Sequence, residues 1–503
     1  MTIPKRQKHR IARWLIQILF LALFLFLFFQ IRYGNQSPFQ DIFFRLNPLI
    51  LLVTSIAQRA ILWVAGLSVL LVVTTLILGR FFCGFVCPLG TVIDVSDSMI
   101  RLRRRNEFSA RNGKYIALLL LAVFALAGTS FLHFFDPLII LERALTLVFF
   151  PVVTHLAGLL LDVRIVGYTE TVAAFLVLAL VIGFGFVTPR FWCRNVCPLG
   201  GLLGALSHFS LFRFSLYARC EQCSVCQAIC PTGAISSGEA RVDSRECIVC
   251  LRCQYECPHD AIRYGMRRSV NPFDLKRRQF LTGMGASILS LSAARFFVRR
   301  KPNPNLIRPP GSIPEEAFLS ACIHCGRCMK VCPTNGLQPC ILEAGIEGLW
   351  TPRLIPRIGG CEKNCNMCGQ VCPTSAIRRL PLEEKIFVKM GSAAIHRPRC
   401  IAWAQNMVCL ICDEACPHNA IRSVNRTIRG ISLPRPLVDE RICTGCGLCE
   451  SRCPTEGQAA IQVFAIGEER KAKGSYITEE KVRLRTCEEK TEDIPSGFIL
   501  DGN

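Results

Sequence analysis

Several patterns that define other classes of redox or nucleotide-binding protein are missing from this sequence. Its 503 residues contain no C-x-x-C-H motif, which excludes a covalently attached c-type haem. A fragment of a dinucleotide fingerprint, Gly283-x-Gly285, follows no predicted strand and is discounted. Acidic residues are scarce, with 37 Asp and Glu against 59 Lys and Arg. Membrane topology and an export signal explain this basic excess, so nucleic-acid binding has no support.

Long apolar runs are absent after residue 210 but dense before it. Hydrophobic residues make up 51% of the chain, and mean hydropathy is +0.36. Four runs are each about as long as a bilayer is thick, namely Leu15 to Ile31, Ala60 to Gly79, Tyr115 to Phe135 and Thr171 to Val187. No His lies near the middle of any run, which disfavours a pair of b-type haems. The sequence therefore predicts four membrane spans followed by a soluble remainder.

Basic residues in short flanking loops predict the orientation of these spans. They lie before the first span and after the second: Lys5, Arg6, Lys8, Arg10, Arg13, Arg101, Arg103, Arg104, Arg105, Arg111 and Lys114. Because loops rich in Lys and Arg stay in the cytoplasm, both of these ends are expected there. The long loop from Leu132 to Glu170 then faces outward. Its apolar stretches, Leu138–Leu141 and Leu145–Val153, are expected to lie along the outer surface.

The 30 cysteines fall in tight, repeated spacings, which indicate metal ligation rather than a disulfide scaffold. The run C-x2-C-x2-C-x3-C-P, typical of bacterial [4Fe–4S] ferredoxins, occurs twice between residues 220 and 258. Three close thiolates bind one cubane, and the fourth cysteine reaches the neighbouring cluster. The spacing predicts one cluster on Cys220, Cys223, Cys226 and Cys257 and another on Cys247, Cys250, Cys253 and Cys230. So many ligands in one double run argue against zinc.

Four further motifs that end in Cys-Pro follow residue 315, two of them with a wider first gap. Their ligands are Cys322, Cys325, Cys328 and Cys332, then Cys361, Cys365, Cys368 and Cys372, then Cys400, Cys409, Cys412 and Cys416, then Cys443, Cys446, Cys449 and Cys453. The chain is therefore predicted to hold six [4Fe–4S] clusters, which suit one-electron transfer better than a structural role. We expect the first of these motifs to exchange its fourth cysteine with the fourth motif and the second with the third. Sequential pairing is the alternative.

Six cysteines remain outside these motifs: Cys83, Cys87, Cys193, Cys197, Cys340 and Cys487. The first four belong to an internal repeat at the predicted cytoplasmic ends of spans two and four, Arg80-Phe-Phe-Cys83-Gly-Phe-Val-Cys87-Pro88-Leu89-Gly90 and Arg190-Phe-Trp-Cys193-Arg-Asn-Val-Cys197-Pro198-Leu199-Gly200. In each copy the two thiols lie one helical turn apart. They can bind a metal or cluster, form redox disulfides or fix helix packing. Cys340 is expected to be free and buried.

A further targeting feature begins near residue 277. Lys276-Arg277-Arg278-Gln279-Phe280-Leu281 leads into an uncharged stretch that ends at Ala294, which is the layout of a twin-arginine export signal. An amphipathic linker helix is the alternative. The segment is expected either to stay as a fifth, anchor-like element or to be cleaved after Ala294.

The predicted fold is mixed, with a polytopic α-helical membrane domain and two ferredoxin-like α+β iron–sulfur domains. The expected domains are a membrane part at 1–210, a cytoplasmic two-cluster ferredoxin at 211–270, a signal and Pro-rich linker at 271–314, a periplasmic four-cluster ferredoxin at 315–470 and a charged tail at 471–503.

These motifs resemble two protein families. Residues 1–270, with four spans, two C-x3-C-P-L-G copies and the double ferredoxin run, resemble the NapH/MauN membrane ferredoxin-type proteins. The twin arginine, Cys332-Pro-Thr-Asn-Gly-Leu-Gln-Pro and Glu343-Ala-Gly-Ile-Glu-Gly-Leu-Trp-Thr-Pro resemble the NapG/MauM periplasmic ferredoxins. The chain is thus similar to a fusion of the two. The resemblance implies a quinol dehydrogenase component of a periplasmic nitrate reductase system, with menaquinol as donor and a periplasmic reductase or c-type cytochrome as acceptor.

The sequence favours an enzyme that oxidises quinol and sends electrons, one at a time, through its clusters. His133 and Asp136, near the outer end of span three, are candidate proton acceptors, and a helix-end contact pair is the alternative reading. The competing hypothesis is a non-catalytic relay or maturation factor for a periplasmic metalloenzyme. The expected location is the bacterial inner membrane, with the first ferredoxin domain cytoplasmic and the second periplasmic. A third hypothesis keeps everything after residue 210 in the cytoplasm.

Overall fold

The computed structural model divides the chain into two compact units. The structure describes residues 5–35, 39–60, 66–100, 111–160, 165–217, 220–221, 223–235, 242–266, 284–285, 303–428 and 431–486. The first unit comprises residues 1–30, 37–148 and 171–297, and the second comprises residues 31–36, 149–170 and 298–503. The predicted twin-arginine motif, most of the apolar stretch that follows it, and Cys487 lie outside the described residues.

Helices dominate the first unit. Those that precede the ferredoxin motifs are Lys5–Gln30, Ile42–Arg45, Pro48–Gln58, Leu67–Leu78, Pro88–Ile100, Gly113–Leu126, Leu132–Phe135, Pro137–Ala144, Val172–Gly183 and Pro198–Ser207. Two π-helical turns, Phe82–Val86 and Trp192–Val196, occupy equivalent positions in the internal repeat. In both copies the turn ends at a cysteine with extended backbone, and proline then starts a new helix. The sequence duplication is therefore also a duplication of local structure.

Two helical stretches among the described residues are long and apolar enough to cross a bilayer. Gln7–Gln30 has 24 residues. Pro137–Gly158 has 22, and it joins helix Pro137–Ala144 to helix Phe150–Gly158 through a π-helical turn. The first stretch contains the first predicted span except its last residue, Ile31. The other three predicted spans correspond to shorter helices, Leu67–Leu78, Gly113–Leu126 and Val172–Phe186. In the third predicted span, Tyr115 to Phe135, the helix stops at Leu126 because the chain turns through left-handed Gly128, whose φ is 80°. The described residues thus do not contain four helices of full membrane length.

The apolar stretch Leu138–Leu141 differs from the prediction. Each of its side chains is at most 4% exposed, so it is core rather than outer surface. Pro137 starts a helix whose amides at Leu138 and Ile139 donate to the Asp136 carboxylate. This helix packs against helices Pro88–Ile100 and Val172–Gly183, and such packing buries its apolar side chains.

The first ferredoxin fold is part of the first unit. Its antiparallel strands Phe212–Leu216 and Ile262–Met266 pair in full register, and its short helices are Val225–Ile229 and Arg252–Tyr255. Strand alternation directs Phe214 and Ile262 into a core shared with Ile235 and Val249. The expected domains 1–210 and 211–270 therefore form one compact body, as the 2.7 Å hydrogen bond from Tyr264 Oη to the Leu78 carbonyl illustrates.

The second unit contains the C-terminal ferredoxin motifs on short elements. Its helices are Phe150–Gly158, Glu315–Ala321, Arg327–Lys330, Met367–Gln370, Leu382–Lys385, Ile401–Ala404, Ile411–Glu414, Leu448–Arg452 and Glu479–Thr486. Three antiparallel strand pairs link them: Leu337–Pro339 with Pro352–Leu354, Ser392–Ile395 with Ile461–Phe464, and Ile421–Ile428 with Ile431–Val438. Short helices and hairpins of this kind leave the cysteine loops free to wrap around clusters.

The edges of the C-terminal domain differ from those expected. The predicted Pro-rich linker includes Ile307 and Arg308, which are both buried. Ile307 forms an isolated antiparallel β-bridge with Leu354. An extended Pro-rich chain fits the edge of a sheet, so this segment packs against the domain. Beyond residue 470, in the predicted tail, Tyr476 is fully buried and helix Glu479–Thr486 follows.

Candidate iron–sulfur sites

The first ferredoxin fold brings the predicted cysteines of one cluster together. Cys247, Cys250 and Cys253 interact electrostatically with Cys230 from the other motif. This is the exchange of fourth cysteines that the spacing predicts.

The other predicted set lies in the same ferredoxin fold. Cys226 interacts with Cys220 and Cys223, and Cys257 packs against the same core as Cys226. The placement of Cys257 in this set stays a prediction.

In the C-terminal domain the expected exchange of first motif with fourth is wrong. Cys322 and Cys328 interact with Cys372 of the second motif. The first motif in turn contributes its fourth cysteine to the second motif. Cys332 lines one cavity with the second motif's ligands Cys361, Cys365 and Cys368.

The third and fourth motifs form the same kind of sequential pair. One cavity is lined by Cys453 together with Cys400, Cys409 and Cys412, and another is lined by Cys416 together with Cys443, Cys446 and Cys449. The motif with the longest first gap, Cys400 to Cys409, closes around its cavity because helix Ile401–Ala404 and a short loop fill that gap.

Hairpins explain why neighbouring motifs pair. After Cys332 the chain runs through strand Leu337–Pro339 and returns through Pro352–Leu354 before it reaches Cys361. After Cys416 the longer hairpin of Ile421–Ile428 with Ile431–Val438 returns it to Cys443. A hairpin brings its two ends together, so the first motif meets the second and the third motif meets the fourth.

The backbone around these cysteines suits anionic sulfur ligands. The fourth cysteine of several motifs accepts an amide hydrogen bond from the residue four positions on, at 3.2 Å for Cys230, 3.4 Å for Cys257 and 3.3 Å for Cys416. Amide donors to cluster sulfur are among the contacts that set cluster potential.

The chemistry of the donor sets fits iron–sulfur clusters. Two of the four-cysteine cavities are otherwise lined mainly by apolar and proline side chains. Burial raises the pKa of the Cys412 and Cys446 thiols to about 12. Such thiols ionise at neutral pH only when a metal supplies positive charge, and a coordinating thiol is deprotonated outright. When bound, a cluster would supply one-electron redox chemistry at each set.

Lys385 adds positive charge beside the second C-terminal set. Its side chain is 6% exposed, and its Nζ donates to the carbonyl oxygens of Glu362 and Lys363. It also interacts electrostatically with Cys361. A fixed positive charge stabilises the more negative, reduced state of a nearby cluster.

The repeat cysteines lie together in the first unit. Cys87 interacts electrostatically with Cys83 and Cys193, and Cys197 interacts with the other three. Cys340 is fully buried in the second unit, where the Arg308 guanidinium lies 3.6 Å from its sulfur.

The predicted proton acceptors occupy a buried polar group. Asp136 is fully buried, caps helix Pro137–Ala144 and accepts a 2.6 Å hydrogen bond from Asn47 Nδ2. His133 is 1% exposed, and its carbonyl accepts a bond from Arg143. In this structure Asp136 therefore serves as a helix cap, and a role for either residue in proton transfer stays a prediction.

Several contact residues of these sites were not singled out from the sequence. Arg80 and Arg190 are buried beside the repeat cysteines, and Asp94 joins Arg190 through bonds of 2.6 and 2.7 Å. The sequence does contain a signal for the two arginines, because they occupy the same position in both copies of the repeat.

The fold and the cysteine sets define a multi-cluster ferredoxin-type iron–sulfur protein. Models described as 4Fe-4S dicluster domains match residues 214–258, 246–337 and 405–456. A model described as a 4Fe-4S binding domain matches residues 59–107 and 170–217, which contain the two repeat copies. The expectation of [4Fe–4S] ferredoxin domains is confirmed by these matches.

Similarity to known proteins shows to which family of iron–sulfur proteins the chain belongs. The methylamine utilization ferredoxin-type protein MauM of Methylorubrum extorquens is 35% identical over 210 residues, which are 38% of this chain and 90% of MauM. The ferredoxin-type protein NapG of Escherichia coli is 33% identical over 166 residues, 32% of this chain and 71% of NapG. NapF of Haemophilus influenzae is 32% identical over 181 residues, 36% of this chain and 90% of NapF. The chain belongs to this family of ferredoxin-type electron-transfer proteins.

Proposed function

We propose that this protein is a membrane-bound quinol dehydrogenase component that passes electrons through six [4Fe–4S] clusters to a periplasmic reductase or c-type cytochrome. Menaquinol is the proposed donor. The observation that carries the proposal is the first unit, in which a ferredoxin fold and a set of apolar helices form one compact body. A lipid-soluble two-electron donor is the natural reductant for clusters attached to such helices.

Exposed apolar side chains support the membrane location. In the most apolar window of helix Gln7–Gln30, only 22% of the residues are buried. Leu15, Leu19 and Phe26 are each more than half exposed on this helix. On helix Val172–Gly183, Phe175 and Leu180 are exposed to a similar degree. An apolar surface of this extent is stable in lipid and unfavourable in water.

Contacts inside each unit support the proposal that the two ferredoxin domains lie on opposite sides of the membrane. The first ferredoxin fold bonds to the Leu78 carbonyl and to Lys114, both at predicted cytoplasmic ends of spans. The C-terminal ferredoxin domain contacts segments predicted to lie outside. The Thr169 amide donates to Gln338, and Ile31, the last residue of the predicted first span, is buried against Val331. This pattern favours a cytoplasmic first domain and a periplasmic second domain, as a twin-arginine signal between them requires.

A buried polar group marks the proposed region of quinol oxidation. Asn47, His133, Asp136, Glu142 and Arg143 are each at most 1% exposed within an apolar helical environment. Ionisable residues buried among apolar helices are costly and are commonly functional. This group lies near the predicted outer end of span three, where protons released from quinol can leave to the periplasm.

Anaerobic addition of a menaquinol analogue to the purified chain in detergent tests the proposal. Cluster reduction is followed by electron paramagnetic resonance, with dithionite as the control reductant. We expect quinol to reduce the clusters in the native chain. Asp136→Asn keeps a good helix cap but removes the proton acceptor, so quinol reduction is expected to slow while dithionite reduction is unchanged. Reduction by dithionite but never by quinol would reject the dehydrogenase and favour the relay or maturation role.

The location of the C-terminal domain is tested separately by fusing a reporter after Asn503. A reporter active only in the periplasm is the expected result, and a reporter active only in the cytoplasm would reject the export reading.

A further inference from the structure

We propose that Tyr168 donates a hydrogen bond from its hydroxyl to one of the two clusters held by the first and second C-terminal motifs, and that this contact raises the reduction potential of that cluster. Tyr168 lies near the end of the predicted outer loop, Leu132 to Glu170. The proposal rests on the iron–sulfur sets themselves and does not depend on quinol as the electron donor.

The backbone on both sides of Tyr168 is held by one buried side chain. Gln338 is fully buried, its Nε2 donates to the Gly167 carbonyl at 3.1 Å, and its Oε1 accepts from the Thr169 amide at 3.0 Å. Asn335 Nδ2 donates to the same Gly167 carbonyl at 2.7 Å. An amide side chain that uses both its donor and its acceptor in this way fixes the backbone segment that it binds. The loop around Tyr168 is therefore clamped to the C-terminal domain.

The clamp lies next to the first C-terminal motif. Asn335 comes three residues after the ligand Cys332, and its amide donates to the Cys332 carbonyl at 3.2 Å. The predicted outer loop contacts the motif at a second point, because the Lys330 ammonium lies 5.0 Å from the centre of the Phe150 ring. Both contacts fall within a few residues of cluster ligands.

Tyr168 itself lies beside ligands of two different sets. It interacts electrostatically with Cys332 and Cys328. Cys328 belongs to the first C-terminal set, whereas Cys332 crosses to the second. The position that the clamp gives to Tyr168 is thus next to both sets of one sequential pair.

The hydroxyl of Tyr168 needs an acceptor at this position. Its oxygen is shielded from solvent and has no hydrogen-bond partner among the described residues. Burying an unpaired hydroxyl is costly, so a buried donor normally has an acceptor. Cluster sulfur at either of the two neighbouring sets would accept this hydrogen bond.

A hydrogen bond of this kind changes the driving force for electron transfer. Donors to cluster sulfur stabilise the more negative, reduced state and so raise the reduction potential. One electron passes between the two sets, and no bond is made or broken. Tyr168 therefore makes one of two adjacent clusters the better electron acceptor.

Tyr168→Phe tests the proposal, because it keeps the ring and removes only the hydroxyl. The full chain is purified anaerobically in detergent, and a redox titration with dithionite is followed by electron paramagnetic resonance. We expect the equilibrium constant for reduction of one cluster component to fall about two- to tenfold, the net effect of one hydrogen bond, which is about 20–60 mV for a one-electron couple. Iron and acid-labile sulfide should match those of the native chain.

Two comparisons show where the shift belongs. Tyr476→Phe is the matched control, because Tyr476 is fully buried in the same unit and its hydroxyl already accepts a 2.9 Å hydrogen bond from the Lys471 amide. This control should leave every potential unchanged. Cys328→Ser and Cys332→Ser each remove one set of the pair, so the shifted component should be one that disappears in one of them. No shift in Tyr168→Phe, or a shift of a component that both serine variants retain, would overturn the proposal.

The clamp allows a second test that leaves Tyr168 in place. Gln338→Ala releases the loop, so the same component is expected to move in the same direction. Combined with Tyr168→Phe it should cause no further shift, because both changes act through one hydroxyl. Additive shifts would show that Gln338 acts independently and would reject the clamp. The Tyr168→Phe shift in a chain whose clusters quinol never reduces would uphold this role of Tyr168 while rejecting the proposed donor.

Discussion

The buried ion pair between Lys114 and Glu246 offers a direct test of how the first ferredoxin fold is held. Lys114 Nζ lies 2.6 Å from both Glu246 carboxylate oxygens, and the two side chains are 0% and 5% exposed. Glu246 immediately precedes the ligand Cys247. The variant Glu246→Gln keeps the shape and one acceptor but leaves the Lys114 ammonium buried without its counter-charge.

The expected cost follows from this geometry. At 2.6 Å the Coulomb attraction is about 6 kcal/mol with an effective dielectric constant of about 20, and desolvation of the two ions offsets part of it. Removing one partner of a buried pair typically costs about 3–5 kcal/mol. Because glutamine still accepts a hydrogen bond, we expect about 3 kcal/mol. At about 2–4 °C per kcal/mol for a unit of this size, the melting temperature falls by about 6–12 °C.

The assay is thermal unfolding of the full chain in detergent, followed by loss of the visible cluster absorbance. Glu479→Gln, in an ion pair that is 3.9 Å long and largely exposed, is the control and should shift melting by less than about 2 °C. The double variant Lys114→Met with Glu246→Leu should recover most of the loss, because no charge is left buried. A drop below about 2 °C in Glu246→Gln, or no recovery in the double variant, would refute this account of the pair.

Three further predictions concern separate parts of the chain. Gly84→Ala places a methyl group against the Ile248 carbonyl, so the backbone there must shift and we expect a lower melting temperature, whereas Gly183→Ala, with open space at its Cβ, should melt like the native chain; equal melting of the two variants would contradict this. The pKa of Glu315 lies below its ordinary value of 4.5, because attraction by two arginines outweighs the opposing effect of burial. Its stabilisation is therefore complete above pH 4.5 and lost as pH falls through the lowered value, so acid-unfolding curves of Glu315→Gln should be flatter there; identical curves would contradict this. Cys332→Ser should remove the cluster of the second C-terminal motif and leave that of the first intact in iron and spin counts; loss of the first cluster alone would contradict sequential pairing.

The ferredoxin sites were largely predictable from sequence because their ligands are local. A C-x2-C-x2-C-x3-C-P run places three thiolates on one short loop, and spacing alone identifies them. The exchange of Cys230 between the two motifs of the first domain was predicted on the same basis and is seen in the structure.

Features that depend on the path of the chain between motifs could not be read from spacing. The pairing of C-terminal motifs is decided by two hairpins, one of them containing Pro434 and Pro436 in a strand, which weakens the sequence signal for that strand. The burial of Leu138–Leu141 depends on the packing of their helix against Pro88–Ile100 and Val172–Gly183, which lie far away in the sequence. Hydropathy also overestimated the length of helix in the predicted span Tyr115 to Phe135, because apolar composition does not reveal where left-handed Gly128 ends the helix.

Electron transfer across a lipid bilayer is the decisive experiment for quinol oxidation coupled to reduction of a periplasmic acceptor. The full chain is reconstituted in liposomes loaded with menaquinol in the membrane, and a membrane-impermeant one-electron acceptor is added on the side of the C-terminal domain. The account predicts quinol-dependent reduction of the acceptor, lost in Cys449→Ser, which breaks a C-terminal cluster set. Acceptor reduction at the rate of protein-free liposomes, with all clusters present, would contradict it.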